Sequence, residues 1–354
     1  MKKCFLIAPI GQEKSEVRRR TEVLWARVIL PACEELEYEA LRADLIAAPG
    51  NISQDIIYLL TNSELVIADI TGSNPNVMYE LGVRHTAGKP VVVLAQKDEH
   101  VPFDIASYRI LYYSIDSPPD WLEAKTSLIT WVGTIQEFGE WASPVRDVFE
   151  SEVRKAIEAE SGAAASESLG PLLRSVSERM RLLESQIETI ASQMPRKSGE
   201  PEFTRDVFIV HGHDGALKNE LARFLERLDF NPIILHERAD RGQAILQKLQ
   251  YESTRVGYAF ILHTPDDEGR VRGTKDGPFP RSRQNVVFEH GMFVGKFSHQ
   301  RVCAIVREGV EIPSDLSGII YKRVLGDGGI DSIALQLIQE LRAAGYVIDA
   351  NKLG

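Results

Sequence analysis

Glu289 sits in the segment RSRQNVVFEHG (281–291), between Phe288 and the small Gly291. An acidic side chain in so apolar a turn is costly to bury without a partner. Asn285 precedes it by four residues, so in a helix the two side chains share a face. Two structural roles compete with a functional one: an ion pair from Glu289 to Arg281 or Arg283, and Asn285 as a helix cap. Glu80 holds the matching place in NVMYELG (76–82), with Arg84 at i+4 as an alternative ion-pair partner. Two glycine-containing loops add to this. HGHDG (211–215) follows the apolar run DVFIV, and ERADRGQ (237–243) follows NPIILH. In each, a strand pattern gives way to a polar loop and then a helix start. Glycine lets backbone approach a ligand, and a helix N-terminus favours an anion such as a pyrophosphate. Taken singly, either loop is also ordinary strand-to-helix turn chemistry.

The elements that must position these residues are legible as apolar runs. CFLIAPI, ELVIADI and KPVVVLAQ in the first part, and DVFIVHG, NPIILHE, YAFILHT and RVCAIVRE in the last, are apolar nearly throughout. Helical patterns separate them, over residues 17–36, 52–61 (with Asn51 or Ser53 as cap) and 76–86, then 216–228, 243–251, 285–295 and 333–344. Buried strands alternating with helices imply a parallel sheet covered on both faces, which takes ligands at the carboxyl ends of its strands. The first and last parts echo each other, in their opening strands and in NVMYELG against NVVFEHG, so one architecture is used twice, not as a solenoid. The expectation is an α/β protein with two flavodoxin- or Rossmann-like parallel-sheet domains, 1–143 and 201–354, joined by a helical connector, 144–200.

That connector has its own pattern. A polar helix over 144–160 and a GAAAS break precede Leu169, Leu173, Val176, Met180, Leu183, Ile187, Ile190 and Met194, which step alternately by four and three. Such a heptad run drives helices together as a coiled coil. A homo-oligomer held through residues 168–194 is therefore expected; the alternative is one amphipathic helix packed on a neighbouring domain. MPRKSGEPEF then ends the helix as a linker.

Bulk composition bounds the function. The chain has 354 residues, 44% hydrophobic and 26% charged, as in an ordinary globular protein. A formal net charge of -10 argues against nucleic acid as a partner. Cys4, Cys33 and Cys303 are dispersed, with no spacing for a zinc site or disulfide framework, which fits a reducing compartment. The apolar run after Lys2-Lys3 is too short for a signal peptide, and no stretch is long enough to span a bilayer. A cytoplasmic location without membrane attachment is expected.

VFIVHGHD, with the loop and helix that follow, and RSRQNVVFEHGMFVGK resemble the bacterial TIR family of antiphage effectors, including the TIR–STING fusions. The likeness runs over about residues 206–347. It implies binding of NAD⁺ and, as in many members, hydrolysis of its nicotinamide–ribose bond, with the family's catalytic glutamate on Glu289. One carboxylate suits that chemistry. Nicotinamide leaves as a neutral molecule from a cationic precursor, so no general acid is needed. The transition state is oxocarbenium-like, and a fixed anion near the ribose stabilises it. Water as acceptor gives nicotinamide and ADP-ribose; an internal nucleophile gives a cyclic ADP-ribose. NAD⁺ is then the substrate, and no cofactor or metal is called for. His211, Gly212, Asp214, Gln243, Arg281, Arg283 and Asn285 are the candidates for lining the nucleotide site. The resemblance further implies TIR–TIR contacts in which adjacent subunits complete the NAD⁺ site, and an outcome in which NAD⁺ depletion halts an infected cell.

Residues 2–115 resemble nucleoside 2-deoxyribosyltransferases, through FLIAP (5–9), the strand-end Asp69, ELG (80–82) and GKPV (88–91). The resemblance implies that Glu80 attacks a sugar's anomeric carbon. The chain departs from the family pattern: Phe5 replaces a frequent tyrosine, Ala8 the following glycine, and Asn74-Pro75-Asn76-Val77 the usual acidic-x-Gly-Thr run. Those losses remove groups that place a nucleobase and sugar. The expectation is a domain in which Ala8, Pro9, Asp69, Asn76 and Glu80 bind a nucleotide-like ligand that acts as activator, or one that supports assembly. Two rivals stand beside the reading as an NAD⁺ hydrolase: a non-catalytic TIR scaffold or nucleotide-binding protein, and a nucleoside N-glycosidase or deoxyribosyltransferase acting through Glu80. The carboxylate of Glu289 speaks against the first, and the missing Gly-Thr turn against the second.

Overall fold

The computed structural model describes residues 2–45, 52–97, 99, 101, 105, 109–138, 204–235, 256–270, 277–313 and 321–353. The connector, the expected cap Asn51 and the helix expected over 243–251, with Gln243, lie outside them.

The apolar runs of the first part become β1 (Lys2–Ile7), β3 (Leu65–Asp69) and β4 (Val91–Gln96), joined by β2 (Tyr38–Arg42) and β5 (Ile110–Tyr113). All pair in parallel, in the order β2-β1-β3-β4-β5. Central β3 is buried at every position, which is why its sequence does not alternate. The helix expected over 17–36 is interrupted. An α-helix, α1 (Glu16–Leu24), passes through a π turn at Trp25–Ile29 into α2 (Leu30–Glu35). Pro31 has no N–H to return to Arg27, so the ladder widens there. Then come α3 (Ile52–Asn62), α4 (Pro75–Thr86) and α5 (Pro118–Phe138). The sequence reading missed α5. Asp120 Oδ2 closes its start, accepting from Ser117 N at 2.9 Å and Ser117 Oγ at 2.6 Å. Ala124, Leu128 and Val132 form its buried stripe at four-residue spacing.

The last part repeats the plan with β6 (Asp206–Val210), β7 (Asn231–Ile234), β8 (Tyr258–His263), β11 (Val302–Arg307) and β12 (Lys322–Val324), all parallel, in the order β12-β11-β8-β6-β7. Read from its second strand, this is the flavodoxin-like 2-1-3-4-5 order of the first sheet. A short antiparallel ribbon, β9 (Asp267–Gly269) with β10 (Phe279–Arg281), stands apart. The helices are α6 (Gly215–Arg227), α7 (Gln284–Phe297) and α8 (Ala334–Ala343). None of the described helices is long and apolar enough to cross a membrane.

The two sheets are not separate bodies. The described residues of both sheets fall in one compact unit. One apolar core runs from Phe5, Val66 and Val93 through Tyr79 and Leu81 to Phe288, Phe208 and Ile261. Its seam is the contact of α4 with α7. A Cβ on Gly82 would collide with the carbonyl of Phe288, one on Gly291 with the carbonyl of Tyr79, and one on Gly295 with Thr86 Oγ1. Tyr79 and Phe288, like Gly82 and Gly291, are equivalent positions of the repeated motif. The contact is therefore reciprocal, and the helices run in the same direction with their backbones touching. Edge-on ring pairs flank it: Tyr79 with His290 at 5.5 Å and His85 with Phe288 at 5.7 Å.

Candidate functional site

At the carboxyl edge of the second sheet, β6 runs out into His211-Gly212-His213-Asp214. Asp214 caps α6, its Oδ1 accepting from Leu217 N at 2.9 Å. Its other oxygen takes Arg307 Nη2 at 3.0 Å. Burial works to raise the Asp214 pKa, but the bonds from Leu217 N and Arg307 outweigh it and hold the carboxyl below its usual value. Asp266 Oδ2 fills the space where a Cβ on Gly212 would stand, so a larger residue there would push the Asp266 carboxylate aside. Asp266 follows β8; it accepts from His213 N at 2.9 Å and from Thr264 Oγ1 at 2.7 Å. His211 is half-buried, with Nδ1 at 2.7 Å from its neighbour Gly212's carbonyl.

The second wall is the strand-to-helix passage through Arg281, Ser282 and Arg283. Arg281 lies along Gly269 in the β-ribbon, its guanidinium where a Cβ would stand. Arg283 Nη1 lies 2.6 Å from His213 Nε2, which ties this passage to the first loop. α7 begins at Gln284 with Arg283 as its N-cap residue, without a side-chain capping bond. Asn285 is thus inside the first turn, not the cap that its residue type suggested. It shares a helix face with Glu289, and both are half-buried. The passage also holds a chain that the sequence reading did not anticipate. Ser282 Oγ lies 2.8 Å from His263 Nδ1, and His263 Nε2 lies 3.1 Å from His290 Nδ1. Ser282, His263 and His290 are all buried. Burial pushes the His263 pKa down to about 4 and drives His290 well below its ordinary value, His290 also feeling His263 and His299, so both rings are neutral.

The first sheet's carboxyl edge gathers its own candidates. Ala8 and Pro9 follow β1, where the Pro9 carbonyl accepts from Thr21 Oγ1 at 2.6 Å. Asp69 ends β3 fully buried. Its Oδ1 accepts from Thr71 N at 3.1 Å and Thr71 Oγ1 at 2.5 Å, and its Oδ2 from Tyr113 OH at 3.0 Å. Arg20 Nε stands 3.9 Å from Oδ2. Burial raises the Asp69 pKa against the pull of Arg20 and these bonds. Asn74 caps α4 by accepting from Asn76 N at 3.0 Å and Val77 N at 3.3 Å, leaving Asn76 in the first turn and Glu80 one turn further, buried. Arg84 does not serve Glu80. Its guanidinium donates to the carbonyls of Leu60, Ser63, Glu64 and Pro90, at 2.7, 2.9, 3.4 and 2.8 Å.

His213, Thr264, Asp266 and Arg307 at the second edge, and Arg20, Thr71 and Tyr113 at the first, were absent from the sequence candidates. Thr264 and Asp266 follow the strand YAFILH directly, so the rule that ligands sit at strand carboxyl ends could have picked them out. An open groove of about 1060 Å³ lies elsewhere, at the amino edge of the first sheet beside Lys2, Cys33 and Tyr38. It carries none of the candidate residues, and the strand ends are the better guide.

The class of protein to which this second edge is similar emerges from comparison. Residues 206–325, about a third of the chain, match the family described as CAP12/Pycsar effector protein, TIR domain. Among individual proteins, YuaY of Escherichia coli K12 is 39% identical over 149 residues, which is 42% of this chain and 48% of YuaY. Protein tirC of Dictyostelium discoideum is 31% identical over 124 residues, 32% of this chain and 62% of tirC. CD-NTase-associated protein 12 of a Lachnospiraceae bacterium (strain RUG226) is 28% identical over 113 residues, 31% of this chain and 35% of that protein. The chain thus spans about half to three fifths of the length of the first two.

Proposed function

We propose that this chain is an antiphage effector whose C-terminal TIR-type segment hydrolyses NAD⁺ to nicotinamide and ADP-ribose, or a cyclic ADP-ribose, with Glu289 as the carboxylate. The observation that carries the reading is the setting of Glu289. It is half-buried on α7, one turn beyond Asn285 on the same face, and its helix starts at the passage that Arg283 ties to the 211–214 loop. The match of residues 206–325 to CAP12/Pycsar TIR domains supports it. In this mechanism Arg281, Arg283 and the start of α6 beside His211, Gly212 and Asp214 face the pyrophosphate, with Gln243 completing the nucleotide side. Asn285 and Glu289 face the ribose. The C–N bond breaks with its electron pair going to nicotinamide. Glu289 stabilises the oxocarbenium that remains, and water adds at the anomeric carbon and releases a proton. The first sheet's edge, from Ala8, Pro9 and Asp69 to Asn76 and Glu80, binds a nucleotide-like activating ligand. Self-association through residues 168–194 and TIR–TIR contacts raises activity in the cytoplasm of an infected cell.

Nicotinamide release from NAD⁺ tests this, over a range of protein concentrations, with Glu289→Gln and Glu80→Gln alongside. The expected result is release by wild type and by Glu80→Gln, a loss of about 100-fold or more in Glu289→Gln, and a steeper than linear rise with concentration. Loss in Glu80→Gln alone, with no nucleotide other than NAD⁺ present, moves the chemistry to the first sheet. Silence of the wild type, with nucleotides added, leaves the scaffold reading.

A further inference from the structure

The chain Ser282–His263–His290 joins three elements: the passage bearing Arg281 and Arg283, the end of central strand β8, and helix α7 one residue past Glu289. Polar atoms inside a core are costly unless every link is made, and apolar side chains would fill the same space. What the polar chain adds is direction, since each link admits one geometry. At one end, Arg283 grips His213 at 2.6 Å. At the other, the edge contact with Tyr79 of α4 backs the His290 ring at 5.5 Å.

We propose that Ser282, His263 and His290 form a positioning chain that sets the reach between the pyrophosphate-facing arginines and Glu289, with Tyr79 of the first sheet as its backstop. The proposal rests on the reading of Glu289 as the NAD⁺ carboxylate. None of the three residues touches substrate. Each acts through the groups it holds.

The chain predicts a split in kinetics. Ser282→Ala removes the bond to His263 and frees the arginine end, raising KM for NAD⁺ and the Kd for ADP-ribose about tenfold while kcat stays within about twofold, since the arginines are no longer held at their reach. His290→Leu breaks the Glu289 end and lowers kcat about tenfold or more, whereas His290→Asn, whose amide reaches the Nδ1 position, stays within about threefold of wild type. The two substitutions break one coupled chain, so in the double variant Ser282→Ala/His290→Leu the loss in kcat/KM falls short of the product of the two single losses. Equal loss in His290→Asn and His290→Leu, or strictly multiplying effects, overturns the chain. So does an unchanged KM and ADP-ribose Kd in Ser282→Ala. Titration calorimetry with ADP-ribose keeps the two ideas apart. If wild type turns over no NAD⁺ but Ser282→Ala still binds ADP-ribose about tenfold more weakly, the glycohydrolase reading fails and the chain stands; unchanged binding sinks the chain whatever the chemistry.

Discussion

Gln284, the first residue of α7, is 8% exposed, yet among the described residues neither its amide oxygen nor its amide nitrogen has a hydrogen-bond partner. A buried polar group left unpaired costs about 1–3 kcal/mol, whereas an apolar group of like shape carries no such penalty. Gln284→Met is therefore expected to raise the free energy of unfolding by about 1 kcal/mol, read as a higher urea midpoint at unchanged slope. A lower midpoint would mean that the amide is held in a way its surroundings do not reveal. Sequence reasoning chose Asn285 and passed over Gln284 because the motif shows residue types and spacing, but not which residue begins the helix. That boundary lies at Arg283, whose backbone is still extended (ψ 145°).

At the scale of elements, glycine is the informative residue. Gly82 and Gly291 meet backbone across the α4–α7 seam, while Gly133 in α5 has nothing within 4 Å of an added Cβ. The same substitution should thus have opposite signs. Gly82→Ala and Gly291→Ala force the helices apart and are expected to cost about 1–3 kcal/mol or more. Gly133→Ala gains helix propensity and is expected to stabilise by about 0.5–1 kcal/mol. Denaturant melts of the three variants check this, and a neutral Gly82→Ala would mean that the seam can relax. Most elements were readable before any coordinates: β1, β3, β4, β6, β8 and β11 because parallel strands buried on both faces are apolar throughout, and α4 and α7 because their motifs repeat. Helix α5 was missed because its stripe of Ala124, Leu128 and Val132 is thin and lies among polar residues. The ribbon β9–β10 was missed because strands of three residues leave no period to read.

At the scale of the whole molecule, the shared core makes stability common property. Burial holds the His263 pKa at about 4, that of His85 at about 3 and that of His290 well down, against an ordinary value of about 6.5. Below about pH 6.5 the unfolded chain takes up protons that the folded chain refuses. Stability is therefore fully present above about pH 6.5 and falls as pH drops from there to about 4, by about 1.4 kcal/mol per pH unit for each such histidine. Asp69, raised by burial, titrates with the opposite sign and offsets part of the loss at the acid end. The four tryptophans, Trp25, Trp121, Trp131 and Trp141, all belong to the first part of the chain, whereas His263 and His290 belong to the last. Tryptophan fluorescence should nevertheless report the acid loss, with the same urea midpoint as far-UV circular dichroism at each pH. Separate midpoints would show two independent sheets.

Local pattern and composition determined a good deal by themselves: an α/β chain, its strands, its two matching helices, and a carboxylate in each where a polar group needs a reason. These follow from burial, which writes a period into the residues of a single element. Only the tertiary structure decided that the two motifs touch, that Gly82 and Gly291 lie against Phe288 and Tyr79, that Arg84 turns away from Glu80 to four carbonyls, and that His263 and His290 join hands across the core. Those contacts connect residues remote in sequence through backbone approach and side-chain direction, and no spacing along one strand of residues encodes which distant partner fills the space opposite.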